Sequence, residues 1–154
     1  MTVERTSPQL STTSSAPEQG APAQQPLTQG ECAPPARTLI DILRATAAAY
    51  PEASAIDDGS GALSYAELLE AVEAEAARLR LAGVRPGDRV GVRIDSGSKG
   101  LYIAILAIMQ AGAAYVPVDV DDTDERARLV FGEAGVAGLA GNSGYVPGAD
   151  RAGD

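Results

Sequence analysis

Histidine is missing from all 154 residues, which removes the commonest general base and the commonest metal ligand from any mechanism this chain could run unaided. Ser-His-Asp and Cys-His nucleophiles are therefore excluded. Cysteine occurs once, at Cys32, so neither an intrachain disulfide nor a Cys-rich zinc site can form. Cys32 also sits in a polar stretch with no basic cluster to activate its thiol. Lysine occurs once too, at Lys99. With 12 Lys plus Arg against 21 Asp plus Glu, the formal charge of −9 leaves no electrostatic footprint for nucleic acid or an anionic membrane. The longest apolar run, 101–109, is far shorter than the roughly twenty residues a membrane-spanning helix needs. Residues 1–10 carry Glu4 and Arg5 and no apolar block of the signal-peptide kind. The expectation is a soluble, cytoplasmic protein with no membrane anchor.

What is present divides sharply. Residues 1–36 are built from Ser, Thr, Pro, Gln, Ala and Gly, and such a composition buries too little apolar surface to offset its ordering entropy. A disordered leader is expected there. Periodicity begins at Thr38, which with Asp41 forms a capping-box start, and Leu39, Ile42, Leu43, Ala47 and Tyr50 follow at helical spacing until Pro51. Residues 53–57 read as a short strand turned by Asp58-Gly59-Ser60-Gly61. Ser64 and Glu67 make a second capping box, and the helix behind them should bury Leu68, Val72, Ala76 and Leu79 before Gly83 ends it.

Pro86-Gly87 marks a turn, and residues 89–94 alternate as a half-buried strand with Val90, Val92 and Ile94 on one face. A helix over 101–111 has almost no polar side and must be covered from several directions. A strand at 115–118, a helix at 123–133 and a strand at 136–140 complete the pattern. Residues 142–154 show none and read as a flexible tail. Strand, helix, strand, helix, strand with short connections implies an open parallel α/β sheet that stops part-way, leaving the 136–140 edge uncovered and the fold marginal.

Two segments carry more than fold class. Leu63-Ser64-Tyr65-Ala66-Glu67-Leu68, followed by Gly83-Val84, Pro86-Gly87-Asp88 and the strand 90–94, is the first. Met109-Gln110-Ala111-Gly112-Ala113-Ala114-Tyr115-Val116-Pro117-Val118-Asp119, followed by Glu125-Arg126, is the second. In this order and spacing they resemble the first two core motifs of adenylation domains in nonribosomal peptide synthetases, which group with acyl-CoA synthetases and luciferases in one AMP-forming family. The texture is most similar to amino-acid polymer synthetases such as poly-lysine synthase. The resemblance covers 37–141 and implies an incomplete parallel-sheet N-terminal subdomain of the acyl-adenylating ligase fold.

The resemblance implies a parent reaction in which an amino acid and ATP, with Mg, give an aminoacyl adenylate and pyrophosphate, the acyl group then passing to a carrier-protein thiol. The family's phosphate-cradling loop and its catalytic Asp and Lys residues have no counterpart here. No residue is therefore assigned a catalytic, cofactor-binding or metal-binding role, no cofactor is assigned to this chain alone, and inactivity in isolation is expected. With only a leader ahead of the motifs, no condensation domain is expected upstream. Two other readings stand beside this one: a noncatalytic partner that docks on or completes the remainder of the domain, and a small autonomous nucleotide-binding α/β protein.

Two segments imitate ligand sites. Ser96-Gly97-Ser98-Lys99-Gly100 follows a strand and opens a helix, where a phosphate loop belongs, but its lysine lies between close glycines instead of after the second of a Walker pair. Asp119, Asp121, Asp122, Asp124 and Glu125 resemble a calcium loop, but Asp124 stands where glycine is needed and Val130 where the bidentate Glu belongs. Acids at a helix N-terminus are also stabilised by the macrodipole without any metal.

Overall fold

Thr38 and Asp41 open the first helix. In the computed structural model, which describes residues 37–148, the Thr38 hydroxyl accepts from the Asp41 amide (3.1 Å) and the Asp41 carboxylate takes the Thr38 amide (2.9 Å). The expected leader over 1–36, Cys32 within it, and residues 149–154 lie outside the described residues. Helix α1 spans Leu39–Ala49. Its buried face is Ile40, Leu43 and Ala47, whereas Leu39 (50%), Ile42 (45%) and Tyr50 stand exposed. The expected face was thus wrong in three of its five residues. Apolar residues at 39, 40, 42 and 43 fill two adjacent stripes, and only the packing of α1 on its neighbours decides which one is covered.

Strands β1 (Ser54–Asp57) and β2 (Ala62–Ser64) pair as an antiparallel hairpin around the Asp58–Gly61 turn. A three-residue strand leaves too little alternation to be read from sequence, and β2 was not anticipated. Helix α2 (Tyr65–Leu81) starts on the expected Ser64–Glu67 box and buries Leu68, Val72, Ala76 and Leu79, as the periodicity requires. That face spans two cores. Leu68 and Val72 join Leu43 from α1 with Ile56, Ile103 and Leu106 around them, while Ala76 and Leu79 enter the main cluster beneath the sheet.

The larger sheet has the order β4-β3-β5-β6, built from β3 (Arg89–Arg93), β4 (Ala114–Pro117), β5 (Gly138–Gly141) and β6 (Gly144–Pro147). The first three are parallel, joined by α3 (Lys99–Gln110) and α4 (Asp124–Ala134), and β6 returns antiparallel on β5. Val90 and Val92 face α2 and α3, packing with Ile108, Ala107 and Leu79. Gly91 is buried on the other side, where a Cβ would lie 2.9 Å from Phe131 of α4 and 3.2 Å from Leu139. Strand β3 is therefore covered on both faces, not half-buried as its alternation implied.

The C-terminal segment corrects two expectations. Residues 144–147 form a strand where a patternless tail was expected, and β5 is flanked by it where an open edge was expected. Gly-Tyr-Val-Pro begins with a weak strand former and ends with a residue that donates no ladder bond, so its sequence signal is that of a loop.

The two family-like segments interlock. Gly112 closes α3 with a positive φ (84°), its amide donating to Met109 and that of Ala113 to Ile108, the double bond of a Schellman ending. The Gly112 carbonyl then accepts from Gly87 (2.8 Å), and Ala114 donates to Asp88 (2.8 Å). A side chain at 112 would also press on Pro86 at 3.1 Å. The Pro86-Gly87-Asp88 turn and the Gly112–Ala114 helix exit thus form one backbone joint that sets β4 beside β3.

Candidate functional site

In open α/β sheets, ligands sit outside the carboxyl ends of the strands. Here that end carries the 95–100 loop after β3 and the 142–143 turn after β5. Asn142 fastens the two, donating its amide to the Asp95 carboxylate at 3.1 Å. Beside them is a cavity of about 360 Å³ whose lining includes Glu75, Asp95, Ser98, Asn142 and apolar Ile94 and Ile103. Among the described residues its lining has acids and no lysine or arginine, the wrong balance for a polyanion.

Ser98 caps α3, accepting from Leu101 and donating to the Asp95 carbonyl at 2.7 Å. The free amides this cap leaves at a helix start are what would hold a phosphate. One is already taken: the Lys99 amide donates to Asp58 Oδ2 at 3.0 Å. The Lys99 ammonium turns the same way, donating to the Gly61 carbonyl (3.0 Å) and lying 3.5 Å from Asp58 Oδ1. A carboxylate from the β1–β2 hairpin thus stands where the phosphate would, and the chain's only lysine pins the hairpin to α3. The residues present do not fit a triphosphate.

The Ser60 hydroxyl, then the Lys99 and Ser60 amides, hold the Asp58 carboxyl well below its ordinary value of 3.8, with the Lys99 charge adding to them and partial burial opposing. A carboxyl whose folded value is depressed contributes stability above its unfolded pKa and loses it as pH falls toward the folded value. Acid denaturation of wild type should therefore steepen below about pH 4, and Asp58→Asn should flatten that part of the profile. At neutral pH, Lys99→Ala and Asp58→Asn should each lower the thermal midpoint, and the double variant should lose less than the two combined. Strictly additive midpoints would mean the two side chains do not act as a pair.

The acidic segment before α4 is likewise occupied from within. Arg93, at the end of β3, donates to Asp124 at 2.6 Å and to the carbonyls of Val120 and Asp122. That hydrogen bond and charge hold the Asp124 carboxyl below its ordinary value. Asp119 accepts from the Asp121 amide, and Asp122 faces Arg126 at 3.8 Å. A guanidinium takes the place a cation would need. Among the described residues, no three metal-ligating side chains converge.

The profile of the AMP-binding enzymes matches residues 43–148. The chain belongs to the AMP-binding enzyme family. It is 42% identical over 98 residues to phenyloxazoline synthase MbtB of Mycobacterium sp. (strain MCS), covering 64% of this chain and 8% of that one. It is 39% identical over 100 residues to enterobactin synthase component F of Escherichia coli K12, covering 65% and 8%.

Among solved structures, the N-terminal subdomain of Klebsiella oxytoca NpsA with 3-hydroxyanthranilyl-AMSN superposes with a TM-score of 0.66 at 30% identity, over 70% of this chain and 27% of that one. The nonribosomal peptide synthetase FmoA3 in its AMPPNP-bound form gives 0.67 at 33%, over 71% and 12%. The chain spans under a tenth of the curated relatives above, and its described part corresponds to the N-terminal portion of their adenylation domains. Among the described residues, no helix is long and apolar enough to cross a membrane.

Proposed function

We propose that this chain is scaffold from an amino-acid-activating adenylation domain and does not itself catalyse adenylation. In the parent reaction an amino acid and ATP, with magnesium, yield aminoacyl-AMP and pyrophosphate before transfer to a carrier-protein thiol in the cytoplasm. The observation that carries the reading is the commitment of the Lys99 amide and the Lys99 ammonium to Asp58, which fills the strand-to-helix loop where a phosphate would sit. Electrostatic stabilisation of that kind is usually the largest catalytic term in an enzyme. We assign no catalytic, cofactor-binding or metal-binding residue to residues 1–154.

A chimera tests the positive half of the claim. Residues 43–148 are grafted in place of the matching segment of enterobactin synthase component F, and amino-acid-dependent ATP–pyrophosphate exchange is measured. The graft should retain exchange while the 154-residue chain alone gives none. A folded graft with no exchange, or exchange by the chain alone, contradicts the proposal.

The noncatalytic docking reading has one observation in its favour: Leu39 and Ile42 expose a second apolar stripe on α1. The remainder of the domain is the partner that reading requires. The autonomous nucleotide-binding reading has none, because its loop is already filled.

A further inference from the structure

Gln110 ends α3 with its side-chain Oε1 buried and without a hydrogen-bond partner among the described residues. Buried acceptors are normally paired, so this one marks a place where a donor is missing. Gln110 also lines a cavity of about 540 Å³, within the roughly 300–1,000 Å³ of small-molecule sites. The cavity opens beside the start of β4, at the opposite end of the sheet from Asp95 and Asn142. Arg44 of α1 and Arg80 of α2 line it too, Ile40, Met109 and Ala113 give it an apolar wall, and among the described residues no acid does. Its charge balance is thus the reverse of that at the carboxyl ends of the strands.

Both arginines can serve a ligand. Arg80 donates to the Gln110 carbonyl, which answers the partial negative charge at the end of α3 and leaves four of its five N–H groups. Arg44 is half-exposed and faces Glu73 at 3.7 Å, a loose surface pair of the kind that contributes little, so its guanidinium is available to a second carboxylate.

We propose that this cavity binds a small apolar α-hydroxy acid, its carboxylate on Arg44 and Arg80, its hydroxyl donating to Gln110 Oε1, and its apolar body against Ile40 and Met109. A hydroxyl suits the donor position better than an ammonium does, because a further positive charge beside two guanidiniums is repelled. A triphosphate fits less well, since two cations leave most of its charge uncompensated. The proposal holds whether or not the adenylation reading does, since the cavity lies at the other end of the sheet from the Lys99 loop.

Amide chemical shifts of the full chain, followed during titration with α-hydroxyisocaproate, test it. The Gly112 and Ala113 amides should shift saturably with half-saturation at or below about 1 mM. Arg44→Gln, a change at a half-exposed surface position, should weaken binding at least about tenfold, the worth of one hydrogen bond to a charged group. On wild type, isocaproate, which has the same body without the hydroxyl, should bind at least about twofold more weakly, and leucine more weakly than the hydroxy acid. No saturable shift at Gly112 or Ala113 up to about 10 mM overturns the proposal. So does a folded Arg44→Gln that binds as wild type does, or isocaproate or leucine matching the hydroxy acid. Should Arg44→Gln not fold, the three ligands on wild type decide.

Discussion

Ile108→Ala should lower the unfolding free energy by about 2–5 kcal/mol, because it empties a fully buried position where α2, α3 and the sheet meet. The loss is large against the roughly 5–15 kcal/mol that holds an ordinary domain together. In a domain of this size, each kcal/mol corresponds to a fall of about 4–8 °C in Tm. Urea denaturation followed by far-UV circular dichroism should show a transition displaced well toward low denaturant, or no cooperative transition at all. A variant within about 0.5 kcal/mol of wild type, the range of ordinary surface substitutions, would show that the main cluster is not the stabilising centre.

The second large effect is expected at Gly138. A Cβ there would overlap the Tyr145 hydroxyl and come within 2.6 Å of the Val146 carbonyl. The Tyr145 hydroxyl donates to the Ala137 carbonyl and its ring packs on the main core, and the Val146 carbonyl belongs to the β5–β6 ladder, so neither yields easily. Gly138→Val should therefore cost about 1–3 kcal/mol through overpacking, and the damage should be local: β6 detaches while β3 and β4 stay paired. Hydrogen exchange reads this directly. The Val146 amide should lose its protection in the variant, and the Val116 amide should keep it. Loss of both at equal rates would mean that β6 is integral to the whole sheet and not an appended strand.

Part of this architecture was legible in the residues alone. Helix starts were, because capping is a contact between residues three apart: Thr38 with Asp41, and Ser64 with Glu67. The buried face of α2 was legible too, since Leu68, Val72, Ala76 and Leu79 make one stripe with no competitor. The face of α1 was not, because two stripes were nearly equally apolar and tertiary packing chose between them. Strand β6 escaped notice because its pairing with β5, not its composition, makes it a strand.

The candidate site was legible only in outline. The 95–100 loop was correctly placed after a strand and at a helix start, and its departure from a Walker pattern was visible. What fills it was not visible. Asp58 is 41 positions from Lys99 in sequence, and only the hairpin packing on α3 brings the two together. Arg93 in the acidic segment is the same case, reaching Asp124 across 31 positions. In both places the ligand-like feature is satisfied by a charge from elsewhere in the chain, and single-segment motifs carry no trace of that charge.

The most direct measurement is a calorimetric titration of MgATP into the purified chain and into Lys99→Ala. Neither protein should show saturable binding up to about 1 mM, a limit near −4 kcal/mol, and the variant alone should show a lowered melting temperature. Saturable binding by wild type that disappears with Lys99→Ala would show that the lysine grips phosphate and not Asp58, the opposite of the Lys99–Asp58 pairing described above.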